Sequence, residues 1–264
     1  MAELLNTQVK QLANQLKKAE ETRQPISPLT TVEPHLTLDD AYKIQLDNLK
    51  EKIAAGDTLS GKKIGLTSKA MQDLLGVEQP DYGHLLKSMK YKNGSFISRA
   101  TLIQPKIEAE IAFVLKNDLA GPNITSLDVL LATEYIVPAF EIVDSRIKDW
   151  KITIEDTVAD NASSGLYVLG DTYFDVSDLD LSNVGMSLYK NSTLVNTGVG
   201  AAALGHPANC VAWLANKLSE YNVSLKAGEV ILSGALSGAV EVECGDEFTA
   251  RFAHMGEVTV SFTE

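Results

Sequence analysis

Cysteine is almost absent from the 264 residues: only Cys210 and Cys244 occur, which excludes a disulfide scaffold. No apolar run approaches the ~20 residues that a membrane-spanning helix needs; Tyr135-Ile-Val-Pro-Ala-Phe140 is among the longest. The opening MAELLNTQVKQLANQLKK alternates apolar and polar residues, where a signal peptide needs an unbroken apolar stretch. Basic charge is scarce too. Lys and Arg number 23 against 35 Asp and Glu, for a formal net charge of −12, and no Lys/Arg run is dense enough to override it. Phosphate backbones and anionic lipid repel such a chain, which argues against nucleic-acid and membrane partners. The expected location is the cytoplasm, with both thiols reduced. What the chain does have is 45% apolar residues, ample for a buried core.

Leu5, Val9, Leu12 and Leu16 recur at helical spacing, so the first twenty residues read as an amphipathic helix. Gln24-Pro-Ile-Ser-Pro28 breaks it. Thr37 with Asp40 resembles a capping arrangement, and a second helix continues to about Ile53. From Gly61 the texture changes. Lys63–Thr67 reads as a short strand, Ser68 can cap a helix through Leu75, and Pro80-Asp-Tyr-Gly83 is turn chemistry. Strands are then expected at 102–115, 135–143, 165–169, 185–189, 229–232, 248–252 and 258–262. Two helices interrupt them, at about 127–132 and after His206-Pro207. The organisation is α+β: a helical N-terminal segment, 1–60, followed by a β-rich catalytic domain, 61–264.

The histidines are scattered, without zinc-ligand spacing. Gly198-Val-Gly200 with Gly205 does not fit a dinucleotide loop, and Gly-x-Ser-x-Gly is absent. His84 reads either as a cleft residue or as a surface turn residue. The informative feature is acidic. In Pro105-Lys-Ile-Glu-Ala-Glu-Ile-Ala-Phe113, period two places Glu108 and Glu110 on one face, which Ala112 and Val114 extend as apolar residues. Glu141 sits inside a second, otherwise apolar strand, where burying it ionised and unpaired would cost several kcal/mol. A divalent cation suited to oxygen ligands, Mg²⁺ or Mn²⁺, resolves this. A salt bridge from Glu141 to Arg146 or to a nearby lysine does so equally well.

Several longer motifs are recognisable. Lys62-Lys-Ile-Gly-Leu-Thr-Ser-Lys-Ala-Met71, Pro80-Asp-Tyr-Gly83, Pro105–Ala112, Phe140-Glu-Ile-Val-Asp-Ser-Arg146 and Asp156-Thr-Val-Ala-Asp-Asn-Ala-Ser163 resemble the 2-keto-4-pentenoate (2-hydroxypenta-2,4-dienoate) hydratase group of the fumarylacetoacetate hydrolase superfamily. The resemblance implies a mixed β-sandwich or roll preceded by helices and a Mg²⁺ or Mn²⁺ site on Glu108, Glu110 and Glu141. It also implies a catalytic lysine at Lys63 with Asp81 as its partner acid, and a small 2-oxo or 2-hydroxy acid substrate from bacterial meta-cleavage degradation of aromatic compounds. A homo-oligomer is expected, with a neighbouring pathway enzyme as a further partner. Substrate contacts are expected at Leu86, Ser163, Ser233 and Gly234.

Two alternatives accompany this. The related 4-oxalocrotonate decarboxylases share the three glutamates and the lysine; Gly205-His-Pro-Ala-Asn209 is similar to that branch, whereas Asp149-Trp-Lys-Ile152 resembles the hydratases. A non-catalytic partner subunit is the other, against which intact Lys63, Asp81 and glutamates argue. On the hydratase reading, Lys63 has its pKa lowered toward the working pH near a metal and away from water. Gly83–Leu86 and Gly165–Val168 are then expected to wall the cleft with apolar side chains, suiting a vinyl terminus rather than a second carboxylate.

Overall fold

The computed structural model describes residues 4–264. The N-terminal apolar stripe forms α1 (Asn6–Thr22), burying Val9, Leu12 and Leu16 with Leu5 left outside as its cap. After the Pro-bounded break come α2 (Leu29–Val32) and α3 (Leu38–Ala54). Thr37 caps α3 as its spacing suggests, accepting from Asp40 N at 3.2 Å. Strand β1 (Leu59–Gly65) follows, then α4 (Lys69–Leu75), capped by Ser68, whose Oγ accepts from Met71 N at 3.3 Å.

At Pro80–Gly83 the expected turn is corrected. Asp81 begins strand β2 (Asp81–Leu86), buried along its whole length and antiparallel to β1. Cross-strand pairing and burial override the local turn preference of Pro, Asp and Gly. The remaining elements are β3 (Lys90–Lys92), β4 (Ser95–Ser98), β5 (Pro105–Leu115), α5 (Ser126–Ala132), β6 (Thr133–Asp144), α6 (Ile154–Ala159) and β7 (Ser164–Leu169). Then come β8 (Gly185–Lys190), β9 (Thr193–Val199), α7 (Pro207–Ser219), β10 (Val230–Ala235), β11 (Val240–Glu241), β12 (Glu247–Phe252) and β13 (Gly256–Thr263). The seven strands expected beyond residue 100 all form, whereas β3, β4, β9, β11 and α6 were not anticipated. These are short or mostly exposed elements that carry little hydrophobic periodicity.

The strands make two sheets. One has the order β2-β1-β10-β5-β6-β7-β3, with β11 also on β5; the other runs β4-β13-β12-β8-β9. Phe248 and Phe262 of the smaller sheet share a core with Ile111, Phe113 and Phe140 of the larger one. Val9, Leu12, Leu16 and Ile44 of α1 and α3 belong to that same core, so the helical segment is packed into the β region. Helix α3 also grips β2: the Tyr42 ring stacks on Tyr82 at 4.6 Å, and Gln45 Nε2 donates to the carbonyls of Tyr82 and Val158 at 3.2 and 2.8 Å. Among the described residues no helix is long and apolar enough to cross a membrane.

Candidate active site

Strand register decides where the acids meet. Glu108 on β5 stands directly opposite Glu141 on β6. Ala235 of β10 stands opposite Glu110, Leu232 opposite both Ala112 and Lys63, and Asp81 of β2 opposite Gly65 of β1. Directly paired residues point to the same side of a sheet. Four strands, β2, β1, β5 and β6, with β10 between β1 and β5, thus deliver Asp81, Lys63, Glu110, Glu108 and Glu141 to a single face, which Ala112, Val114, Val137 and Leu232 continue as buried apolar surface. The apolar extension of the carboxylate face is borne out.

Two glycines make room for this row. A Cβ on Gly65 would collide with Asp81 Oδ1, so only glycine lets that carboxylate lie against β1. At a bulge in β10, Gly234 has φ +103, a conformation that favours glycine, and it turns its N–H into the site to donate to Glu110 Oε2 at 2.7 Å.

One oxygen from each of Glu108, Glu110 and Glu141 lies within 4.8 Å of the others. Lys63 Nζ approaches Glu141 Oε1 at 3.2 Å, an ion pair without hydrogen-bond alignment. Both Glu141 oxygens, Glu110 Oε1 and Asp81 Oδ1 are buried with no hydrogen-bond partner among the described residues. Buried carboxylate oxygens left unpaired around one point fit a hard divalent cation, which such oxygens ligate. Of the two partners the sequence leaves open for Glu141, Arg146 is excluded, since its guanidinium is committed to Asp160.

The electrostatics follow from crowding. Burial, then Glu141, push the Glu108 carboxyl up to about 7. Burial, Glu141 and Glu108 hold Glu110 well above the usual range. Burial raises Glu141 and Asp81 as well, with Lys63 opposing in each case. At Lys63 the acids act against burial. Burial favours the neutral amine, but Glu141, Asp81, Glu108 and Glu110 together outweigh it and raise its pKa above the ordinary lysine value.

Lys63, Asp81 and Glu108 border a cavity of about 330 Å³. Ser163 also borders it, with its hydroxyl hydrogen-bonded to that of Thr157 at 3.2 Å. Ser233 does not reach it; its Oγ donates to the Ile111 carbonyl at 2.7 Å. Gly234 serves Glu110. Leu86 is not brought to the site: it packs with Leu85, Met89 and Tyr167 and borders a separate cavity with Asn48 and Gly165. Asp81 and Leu86 occupy opposite ends of β2, about 16 Å apart at the usual rise.

The stretches Gly83–Leu86 and Gly165–Val168 are therefore not the wall. Leu66, Met71, Val143, Trp150, Ile152 and Leu236 supply apolar surface there, and no arginine among the described residues lines it. His84 is neither a cleft nor a surface residue. It is buried, with Nδ1 2.9 Å from Gln45 Oε1, and burial aided by Lys62 pushes its pKa down to about 3. Residues that the sequence reading missed at the cavity include Thr67, Lys106 and Ser237. Lys106 alone left a legible signal there, being in period-two register with Glu108.

Residues 66–263 match the profile described as fumarylacetoacetate (FAA) hydrolase C-terminal, a span that holds Asp81 and the three glutamates and begins just after Lys63. The chain is 48% identical over 264 residues to 2-hydroxyhexa-2,4-dienoate hydratase of Comamonas testosteroni, covering 99% of this chain and 98% of that one. It is 51% identical over 219 residues to 2-hydroxypent-2,4-dienoate hydratase of Pseudomonas putida, covering 83% and 99% respectively. Among solved structures, 4-oxalocrotonate decarboxylase from Pseudomonas putida G7, complexed with magnesium and adipate, superimposes with a TM-score of 0.97 at 38% identity over 99% of this chain and 100% of that one.

Proposed function

The chain belongs to the fumarylacetoacetate hydrolase family, and on that premise we propose that it is a divalent-metal-dependent hydratase of aromatic-compound catabolism. It adds water to 2-hydroxypenta-2,4-dienoate or its six-carbon homologue, giving a 4-hydroxy-2-oxo acid. The observation that carries this reading is the meeting of three carboxylates, Glu110 and Glu141 buried and Glu108 half-buried, with Lys63 and Asp81 at the edge of one apolar-walled cavity. The 48% and 51% identities to relatives named hydratases, against 38% to the decarboxylase, favour water addition over loss of CO₂.

Glu108, Glu110 and Glu141 would hold Mg²⁺ or Mn²⁺. When bound, such an ion supplies positive charge against which the negative charge developing on the 2-oxo oxygen is stabilised. The protein's own residues handle position and protons. Leu66, Met71 and Leu236 offer dry surface to the hydrocarbon end of the substrate. The dienol loses its hydroxyl proton and gains one at C5, becoming a 3,4-unsaturated 2-oxo acid. Water then gives hydroxyl to C4 while C3 takes a proton. Lys63, 3.2 Å from Glu141, is the donor of these steps, and Asp81, across the β1–β2 ladder, is the acceptor.

The test is loss of dienoate absorbance with and without Mg²⁺, with product analysis. Formation of 4-hydroxy-2-oxopentanoate only with the metal is expected. Rapid CO₂ release from 2-oxohex-3-enedioate, without hydration of the dienoate, would replace this reading with decarboxylation. The same reading includes a cytoplasmic homo-oligomer.

A further inference from the structure

We infer that Lys106 is the receptor for the substrate's carboxylate, a specificity-determining cation that Trp150 holds at the cavity wall. The inference deepens the hydratase reading by naming what recognises the acid group. Lys106 lies two residues before Glu108 on β5, so its side chain leaves the sheet on the same face as the glutamates, and it lines the same cavity. Its Nζ stands 4.7 Å from the centre of the Trp150 ring, a cation–π distance. The ring is itself anchored, since Trp150 Nε1 donates to the Gln104 carbonyl at 3.0 Å.

Among the described residues no carboxylate or carbonyl forms an ion pair or hydrogen bond with the Lys106 ammonium. Its cross-strand neighbours are Val143 and Glu241, and no salt bridge joins it to Glu241. The other lysine on the wall, Lys63, is already matched to Glu141. Lys106 also faces Glu108, whose charge it favours, but that carboxylate is one that a bound cation would engage, and no ion pair among the described residues ties the Lys106 ammonium down. An anionic ligand entering beside Glu108 and Asp81 meets repulsion that a cation on the same face, held by no ion pair, offsets. A neutral aromatic partner fixes the lysine's position without cancelling its charge, as an acid would.

The experiment measures equilibrium binding of 2-oxopentanoate, a saturated and unreactive 2-oxo acid, to the Mg²⁺-loaded protein, alongside its neutral amide. In Lys106→Met, affinity for the acid is expected to fall about tenfold or more, the loss typical of a charge-assisted hydrogen bond, while affinity for the amide stays put. Lys106→Arg is expected to restore most of the acid's affinity, and kcat/KM for the dienoate is expected to fall in Lys106→Met mainly through KM. Equal weakening of acid and amide, or undiminished binding of the acid by a Lys106→Met variant that keeps the wild-type melting temperature, overturns the assignment. Acid-selective loss in a protein that does not hydrate the dienoate would sink the hydratase reading and leave the receptor standing.

Discussion

Glu108 and Glu141 face each other directly across the β5–β6 ladder, a like-charge pair where sheets ordinarily place apolar or opposite charges. Such a pair is destabilising by itself. Here Glu141 is buried and Glu108 half-buried, with Lys63 3.2 Å from Glu141 and Lys106 on the Glu108 side to offset the pair. The arrangement has the character of a site held at some expense to stability.

Glu108→Gln removes one charge with little change of shape. In protein treated with a chelator, the variant is expected to melt above wild type, by about 2–4 °C for each kcal/mol of repulsion relieved. Added Mg²⁺ should raise the melting temperature of wild type and leave that of the variant nearly unchanged. Thermal unfolding with EDTA and with Mg²⁺ reads both effects; an equal Mg²⁺ response in the two proteins would remove Glu108 from the ligand set.

Protons and cations compete for the same oxygens. With the Glu108 carboxyl pushed up to about 7, the cation-free site is partly protonated at neutral pH, and cation binding must displace that proton. Mg²⁺ affinity is therefore expected to weaken as pH falls from 8 to 6, approaching tenfold per unit for each proton released. Titration calorimetry in two buffers of different ionisation enthalpy counts the protons. A pH-independent affinity would contradict the shifted carboxyl.

Asp81 depends on the empty space at Gly65. Asp81→Asn and Gly65→Ala are both expected to lower kcat by 10²-fold or more, the second by displacing the carboxylate rather than removing it. Both should keep the Mg²⁺-induced rise in melting temperature, because neither touches the three glutamates. Full activity in Gly65→Ala would show that the contact between β1 and Asp81 is dispensable.

His84 gives the fold its own acid sensitivity. Its native pKa of about 3 lies below the ordinary value of 6.5, so the unfolded chain binds a proton below about pH 6.5 that the native chain refuses. That contribution is intact above 6.5 and is lost as pH falls toward 3, at up to about 1.4 kcal/mol per unit. Urea unfolding at several values between pH 4.5 and 7 is expected to show a shallower loss in His84→Gln than in wild type. Parallel curves would mean that the imidazole is not the group responsible. The raised glutamates act with the opposite sign in this window, and comparing the two proteins cancels them.

The acids were legible because each violates its surroundings: Glu141 interrupts an apolar strand, and Glu108 with Glu110 repeats at period two on a face that turns apolar. Their meeting with Lys63 and Asp81 was not, since Lys63, Asp81 and Glu110 converge through pairings among β2, β1, β10 and β5 that no local pattern encodes. For Lys63 and Asp81 only family resemblance supplied the roles. Leu86 shows the limit of reading along the chain, because a neighbour in sequence on an extended strand is carried several ångströms away with every residue. Trp150 came to the cavity through an irregular segment with positive φ at Asp149 and Trp150, a bend that periodicity cannot foresee.

The grip of α3 on β2 has a consequence for how this catalyst can be divided. Tyr42 and Gln45 lie outside the cavity that Lys63 and Glu108 border, yet they seat the strand that begins with Asp81. A fragment starting at residue 61 would keep every acid and the lysine but lose the buttress against which that strand is laid. Grafting the sheet alone onto another scaffold would transplant the chemistry without its alignment, so the smallest heritable unit of this activity includes the helix that buttresses the sheet.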